Sequence, residues 1–169
     1  MIDRRRLVMA GAALGALITT SKFGEAKAMT TTTAAIDFSK LTDADWRKRL
    51  TPQQYDVLRK HGTERAGTSP LNHEKRKGIF ACAGCDLPLF NSDTKFESGT
   101  GWPSFYQPLP GAVDTQTDRS FFMVRNEVHC HRCAGHLGHV FDDGPAPTGL
   151  RYCMNGIALK FEPEGTGAS

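Results

Sequence analysis

Two Cys-x-x-Cys knuckles, Cys82-Ala83-Gly84-Cys85 and Cys130-His131-Arg132-Cys133, constrain what this chain can fold into more than any other feature. Each knuckle turn presents two sulfurs to one side, and two knuckles complete the tetrahedral thiolate set that zinc favours. The 44 residues between them exceed the spacing of a compact zinc ribbon. A metal here clamps two distant parts of one domain instead of organising a finger. Cys82, Cys85, Cys130 and Cys133 are therefore read as the ligands of one structural Zn2+ per chain, with Gly84 easing the first turn. Iron in the same cage is one alternative. Two redox-active disulfides are another, since an exported protein meets an oxidising compartment. A thioredoxin-like motif, however, sits between a strand and a helix, and neither knuckle precedes a helical period.

Export is suggested by the first 28 residues, which carry the whole formal charge of +3 and leave the remaining 141 balanced. Arg4-Arg5-Arg6 precedes a 14-residue apolar run from Leu7 to Thr20, and Ala26-Lys27-Ala28 is a small-x-small cleavage site. Residues 1–28 read as a signal peptide of the twin-arginine type, which would deliver a folded protein to a bacterial periplasm. An ordinary secretory leader and an uncleaved anchor are the alternatives, although the run is shorter than the roughly 20 residues of a membrane span. On this reading membrane contact is transient, during export. A charge-balanced body with no Lys/Arg stripe excludes nucleic acid as a partner.

Residues 29–40 read as a flexible linker, 41–162 as one domain and 163–169 as a flexible tail. Two short N-terminal helices are expected. Thr42 caps a turn through Asp45 and Trp46, while Thr51-Pro52-Gln53-Gln54 is a capping box with proline at the first helical position. Tyr55 and Leu58 share one face, and Gly62 is the stop signal. Beyond it, glycine and proline punctuate short runs (Gly78 to Cys82, Phe121 to Cys130, Gly138 to Phe141, Leu150 to Phe161), which suit an antiparallel, mainly β domain.

The fifth cysteine is left over. In Arg151-Tyr152-Cys153-Met154-Asn155, strand alternation puts Cys153 on one face with Arg151 and Asn155. A leftover cysteine is often an apolar filler, but a neighbouring cation favours the nucleophilic thiolate and Asn155 offers an amide donor. The apolar parity then flips at Ile157, Leu159 and Phe161, which predicts a β-bulge near Asn155-Gly156. His136 and His139, in a glycine-punctuated segment just upstream, make a cysteine/histidine site plausible. Trp102, in Gly101-Trp102-Pro103, is either core or a loop-borne wall for a small apolar group.

Together, the two knuckles, Ser98-Gly99-Thr100-Gly101-Trp102-Pro103-Ser104-Phe105, Gly135-His136-Leu137-Gly138-His139-Val140-Phe141-Asp142-Asp143-Gly144-Pro145 and Arg151-Tyr152-Cys153-Met154-Asn155-Gly156 closely resemble the methionine sulfoxide reductase B family, over about Leu41 to Phe161. The resemblance implies two antiparallel sheets stapled by the four-cysteine zinc site. It implies thiol-dependent reduction of methionine (R)-sulfoxide in proteins, as repair of oxidative damage, with the free amino acid as a further candidate substrate. Cys153 would be the nucleophile, with His136, His139 and Asn155 serving the sulfoxide oxygen. Trp102 would line the methyl pocket, and Phe105, Phe141 and Arg151 are assigned to substrate binding with it.

Many members of that family carry a resolving cysteine just before Gly-Trp-Pro, where this chain has Thr100. The expectation, unless a knuckle cysteine leaves its metal to act as the resolving thiol, is a one-cysteine cycle: Cys153 becomes a sulfenic acid, and an external thiol reductant, thioredoxin-like or other, reduces it. A zinc-knuckle binding module with an inert Cys153 and a thiol-disulfide oxidoreductase are the competing readings. A monomer is the default state.

Overall fold

The computed structural model describes residues 36–119 and 124–165. The expected leader at 1–28, most of the expected linker and the last residues of the expected tail lie outside them. Among the described residues no helix is long and apolar enough to cross a membrane. At the end of the expected linker, Phe38–Lys40 form a 3-10 turn capped by Asp37, and Phe38 stacks on Trp46 at 6.1 Å between ring centroids.

Helix α1 spans Asp43–Arg49 and helix α2 spans Pro52–Lys60. Both begin with a reciprocal capping box, Thr42 with Asp45 and Thr51 with Gln54, because a hydroxyl at the N-cap and an acceptor three residues later satisfy donors the helix cannot. Trp46, Tyr55, Val57 and Leu58 are the buried residues of these helices. The stop differs from the expected one. His61, not Gly62, adopts the left-handed C-cap conformation, with φ of 57°. A Cβ at Gly62 would lie 2.2 Å from the carboxylate of Asp56, an exposed side chain.

The strands are β1 (Gly78–Cys82), β2 (Pro88–Asn91), β3 (Lys95–Phe96), β4 (Ser104–Phe105), β5 (Val113–Asp118), β6 (Arg125–Cys130), β7 (His136–Phe141), β8 (Arg151–Met154) and β9 (Leu159–Pro163). They build two antiparallel sheets, ordered β2-β1-β9 and β3-β4-β8-β7-β6-β5. The mainly β fold of two antiparallel sheets with short N-terminal helices is thus the one expected. Phe80, Phe90, Phe105, Leu58, Leu89, Leu137, Met154 and Val128 are fully buried and form the centre of the core.

The expected bulge at Asn155-Gly156 is absent. Strand β8 ends at Met154, Gly156–Ala158 form a 3-10 turn, and β9 continues in the other sheet beside β1. The parity flip in the sequence records a change of sheet. The bulge lies opposite, in β7: Val128 pairs with Gly138 and His129 with His136, so Leu137 is an extra residue. An extra residue reverses the alternation of the strand, which brings His136 and His139 onto one face although they are three apart. Their rings meet edge-on at 5.5 Å.

Candidate active site

Cys153 occupies the middle of the larger sheet. Its strand β8 lies between β4 and β7, and the register sets Cys153 against Ser104 on one side and His139 on the other. A side chain at residue 138 would obstruct this arrangement, because a Cβ would fall 2.1 Å from the Cys153 carbonyl oxygen. Glycine therefore permits the close approach of β7 to β8. Cys153 is half-buried and lies outside the cluster formed by the other cysteines. It faces a cavity of about 120 Å3 lined by Thr63, Trp102, Arg125, Gly138, His139, Phe141, Cys153 and Asn155. A larger groove of about 910 Å3 between α2 and β9 is lined by residues such as Val57, Leu71, Ile157 and Phe161. It contains neither cysteine nor histidine, whereas the smaller cavity holds both Cys153 and His139 and is the candidate site.

Each histidine has a carboxylate on one ring nitrogen. His136 Nδ1 lies 2.6 Å from Glu127 Oε1, and His139 Nε2 lies 3.0 Å from Asp118 Oδ2. Glu127 also meets His61 Nδ1 at 2.9 Å and accepts from Gln116 Nε2 at 2.6 Å, while Arg125 donates to Asp118 at 2.8 Å. Burial pushes the Glu127 carboxyl up, but the bonds from Gln116 and His136 more than reverse this and leave it below its ordinary value. Burial likewise pulls the His136 imidazole down, against the attraction of Glu127. His136 Nε2 is buried and meets no hydrogen-bonding group among the described residues. His139, not His136, is the histidine that lines the Cys153 cavity.

Trp102 is fixed by its indole N–H, which donates to the Glu64 carbonyl at 3.1 Å. Asn155 Oδ1 accepts from Glu64 N–H at 3.0 Å and its Nδ2 donates to Leu137 O at 3.1 Å. Arg151 grips Asp143 through two bonds of 2.8 Å, and its guanidinium lies 4.3 Å from the centroid of Phe141. Arg151 thus supports the cavity through Phe141. Its own charge is reinforced chiefly by Asp143 and also by Cys153. Thr100 Oγ1 is 3.7 Å from Cys153 Sγ. Phe105 departs from expectation: it is fully buried, stacked on Phe90 at 4.3 Å and edge-on to Phe80 at 4.9 Å. Strand alternation turns its ring into the core while Ser104 takes the register position beside Cys153.

Sequence reasoning did not pick out Glu127, Asp118, Arg125, His61, Thr63 or Glu64. Only Glu127 left a trace, as a carboxylate beside Val128 in a run leading to a buried knuckle; a charge entering a core implies a partner.

Away from the cavity, Cys82, Cys85, Cys130 and Cys133 converge, with all four sulfurs within 4.8 Å of one another and all four residues buried. Cys82 to Cys133 is 3.7 Å and Cys85 to Cys130 is 3.5 Å. A tetrahedron with metal–sulfur bonds of about 2.3 Å has edges of about 3.8 Å, so the set fits a zinc ion and none of the cysteines is in a disulfide. Three guanidiniums donate to knuckle carbonyls: Arg49 to Gly84 at 2.7 Å, Arg59 to Cys133 at 2.9 Å and Arg132 to Cys85 at 3.0 Å. Such an outer layer of cations suits a cage that is anionic when loaded. The left-handed residues of these turns are Asp86 and Ala134, just past each second cysteine, and not Gly84.

The SelR domain model matches residues 50–163. The chain is 58% identical over 123 residues to peptide methionine sulfoxide reductase MsrB of Agrobacterium fabrum, covering 72% of this chain and 91% of that protein. It is 58% identical over 124 residues to the Leptospira interrogans protein of the same name, covering 73% and 95%. Against peptide methionine sulfoxide reductase B1, chloroplastic, of Arabidopsis thaliana the identity is 56% over 126 residues, covering 74% and 62%.

Proposed function

The chain belongs to the methionine sulfoxide reductase B family, and from that premise we propose that it reduces methionine (R)-sulfoxide in proteins through Cys153 alone. The observation that carries this is the position of Cys153: a single thiol off the metal cage, facing a cavity whose walls include Trp102 and His139. The Cys153 thiolate attacks the sulfoxide sulfur as the S–O bond breaks, and an imidazolium of the His136/His139 pair delivers a proton to the departing oxygen. The hydroxide so released attacks Cys153 Sγ and breaks the new S–S bond, so that Cys153 becomes the sulfenic acid and the reduced substrate leaves as the thioether. An external thiol then attacks the sulfenic sulfur, releasing water and leaving a mixed disulfide. A second thiol frees Cys153 and leaves as the oxidised disulfide.

The carboxylates behind the histidines hold each ring's orientation, and Trp102 walls the space for the S-methyl group. Cys82, Cys85, Cys130 and Cys133 would hold a structural Zn2+, which when bound supplies a cross-link and no reaction chemistry. Twin arginines ahead of a short apolar run support export to a periplasm, where the donor is a thiol on that side of the membrane; the working unit is a monomer.

The test is turnover of separated sulfoxide epimers by the metal-loaded protein. Activity on the R epimer only, lost in Cys153→Ser, is expected, as is a gain of about 16 Da on Cys153 after one equivalent of substrate without reductant. Undiminished turnover by Cys153→Ser would refute the reading.

A further inference from the structure

Glu64 lies outside every cysteine, histidine and tryptophan motif, yet four hydrogen bonds tie it to the flanks of the cavity. Its carbonyl accepts from Trp102 Nε1 at 3.1 Å and its N–H donates to Asn155 Oδ1 at 3.0 Å. Its carboxylate accepts from Gly156 N–H and, at 3.1 Å, from Ile157 N–H. Those two donors open the 3-10 turn Gly156–Ala158, and Asn155 at its N-cap makes no side-chain capping bond. The Glu64 carboxylate takes the place of that cap, without which two partly buried N–H groups would lose their partner. Burial raises the Glu64 carboxyl, against these two bonds. The turn has little freedom to shift, since Ser69 packs so closely on Gly156 that a Cβ there would lie 1.9 Å from its hydroxyl.

We propose that Glu64 is a positioning residue of the sulfoxide reductase site: by capping the turn that follows the nucleophile's strand, its carboxylate fixes the separation of Trp102 and Asn155 and so sets how tightly the sulfoxide group is held. It touches no reacting atom and acts through the indole on one side and the amide on the other. The inference rests on the site reading above, in which the substrate sits between Trp102 and Cys153.

Glu64→Gln keeps the shape but turns an NH2 toward one of the two N–H groups, while Glu64→Asp keeps the charge and withdraws it by one methylene. Both are compared with the parent as full-length, metal-loaded protein labelled with fluorotryptophan. The chain has two tryptophans, so the Trp46 resonance serves as an internal reference for global change. The expected result for Glu64→Gln is a KM for methionine (R)-sulfoxide raised at least about fivefold with a smaller change in kcat, and a Trp102 resonance that shifts or broadens while Trp46 stays in place. Kinetic constants within about twofold of the parent, or equal perturbation of both resonances with unchanged KM, would overturn the proposal. Should Glu64→Gln not fold, the same readouts on Glu64→Asp decide. An inactive parent would overturn the site reading instead.

Discussion

On the proposed mechanism, two side chains bear on how the thiol at residue 153 is recycled and how its substrate oxygen is protonated. Thr100 presents a hydroxyl 3.7 Å from Cys153 Sγ, so a thiol at that position starts within reach of a sulfenic acid. In Thr100→Cys, turnover with one equivalent of substrate is expected to leave a disulfide between positions 100 and 153, seen by peptide mapping, in place of the sulfenic acid. Glu127 bears on the second step. If His136 is the proton donor of the proposed mechanism, activity falls as pH rises through its pKa, which Glu127 holds up against burial. Glu127→Gln is therefore expected to move the alkaline limb of kcat/KM toward lower pH; an unmoved limb would remove Glu127 from proton delivery. For stability the sign is opposite. The folded His136 pKa lies below the unfolded value of about 6.5, so the unfolded chain takes up the proton first, and the stability present above that value is lost as pH falls from there through the folded pKa.

At the scale of elements, the active face depends on how closely β7 and β8 approach. Gly138→Ala would drive a methyl into the Cys153 carbonyl; about 1–3 kcal/mol of destabilisation is expected from such overpacking. The urea midpoint should drop accordingly, and kcat/KM by at least about tenfold, because a shift of the reacting sulfur costs disproportionately. The helix starts were legible because a capping box is contained in four residues, and Thr42/Asp45 and Thr51/Gln54 behave as their spacing dictates. Strand β5, Val113–Asp118, was not legible: its sequence VDTQTD has no apolar alternation, and its pairing with β6 alone makes it a strand. The carboxylates behind the histidines were hidden for a related reason. Asp118 and His139 meet only through the fold, as do Glu127 and His61. Cys153, the metal cage and Trp102 could be read because each lies in a short motif whose chemistry is local. Phe105 shares such a motif with Trp102, yet strand alternation sends it into the core.

Across the whole molecule, the knuckles follow β1 and β6, which belong to different sheets, so a metal held by all four sulfurs joins the two layers. Structural zinc sites contribute on the order of 10 kcal/mol or more to folding, comparable to the roughly 5–15 kcal/mol by which a domain is stable. Stripping the metal with a chelator, or Cys82→Ser, is expected to abolish cooperative unfolding and reductase activity together, while metal analysis of the parent gives about one zinc per chain. Retained activity in metal-free protein would contradict the cross-link.

The register also sets Leu159 of β9 directly against Cys82 at the end of β1, which leaves five residues of chain between the reactive sulfur and the neighbour of a cage ligand. Losing the metal at that end would loosen β1 against β9, and with β9 the turn Gly156–Ala158 that follows the strand of the cavity's thiol.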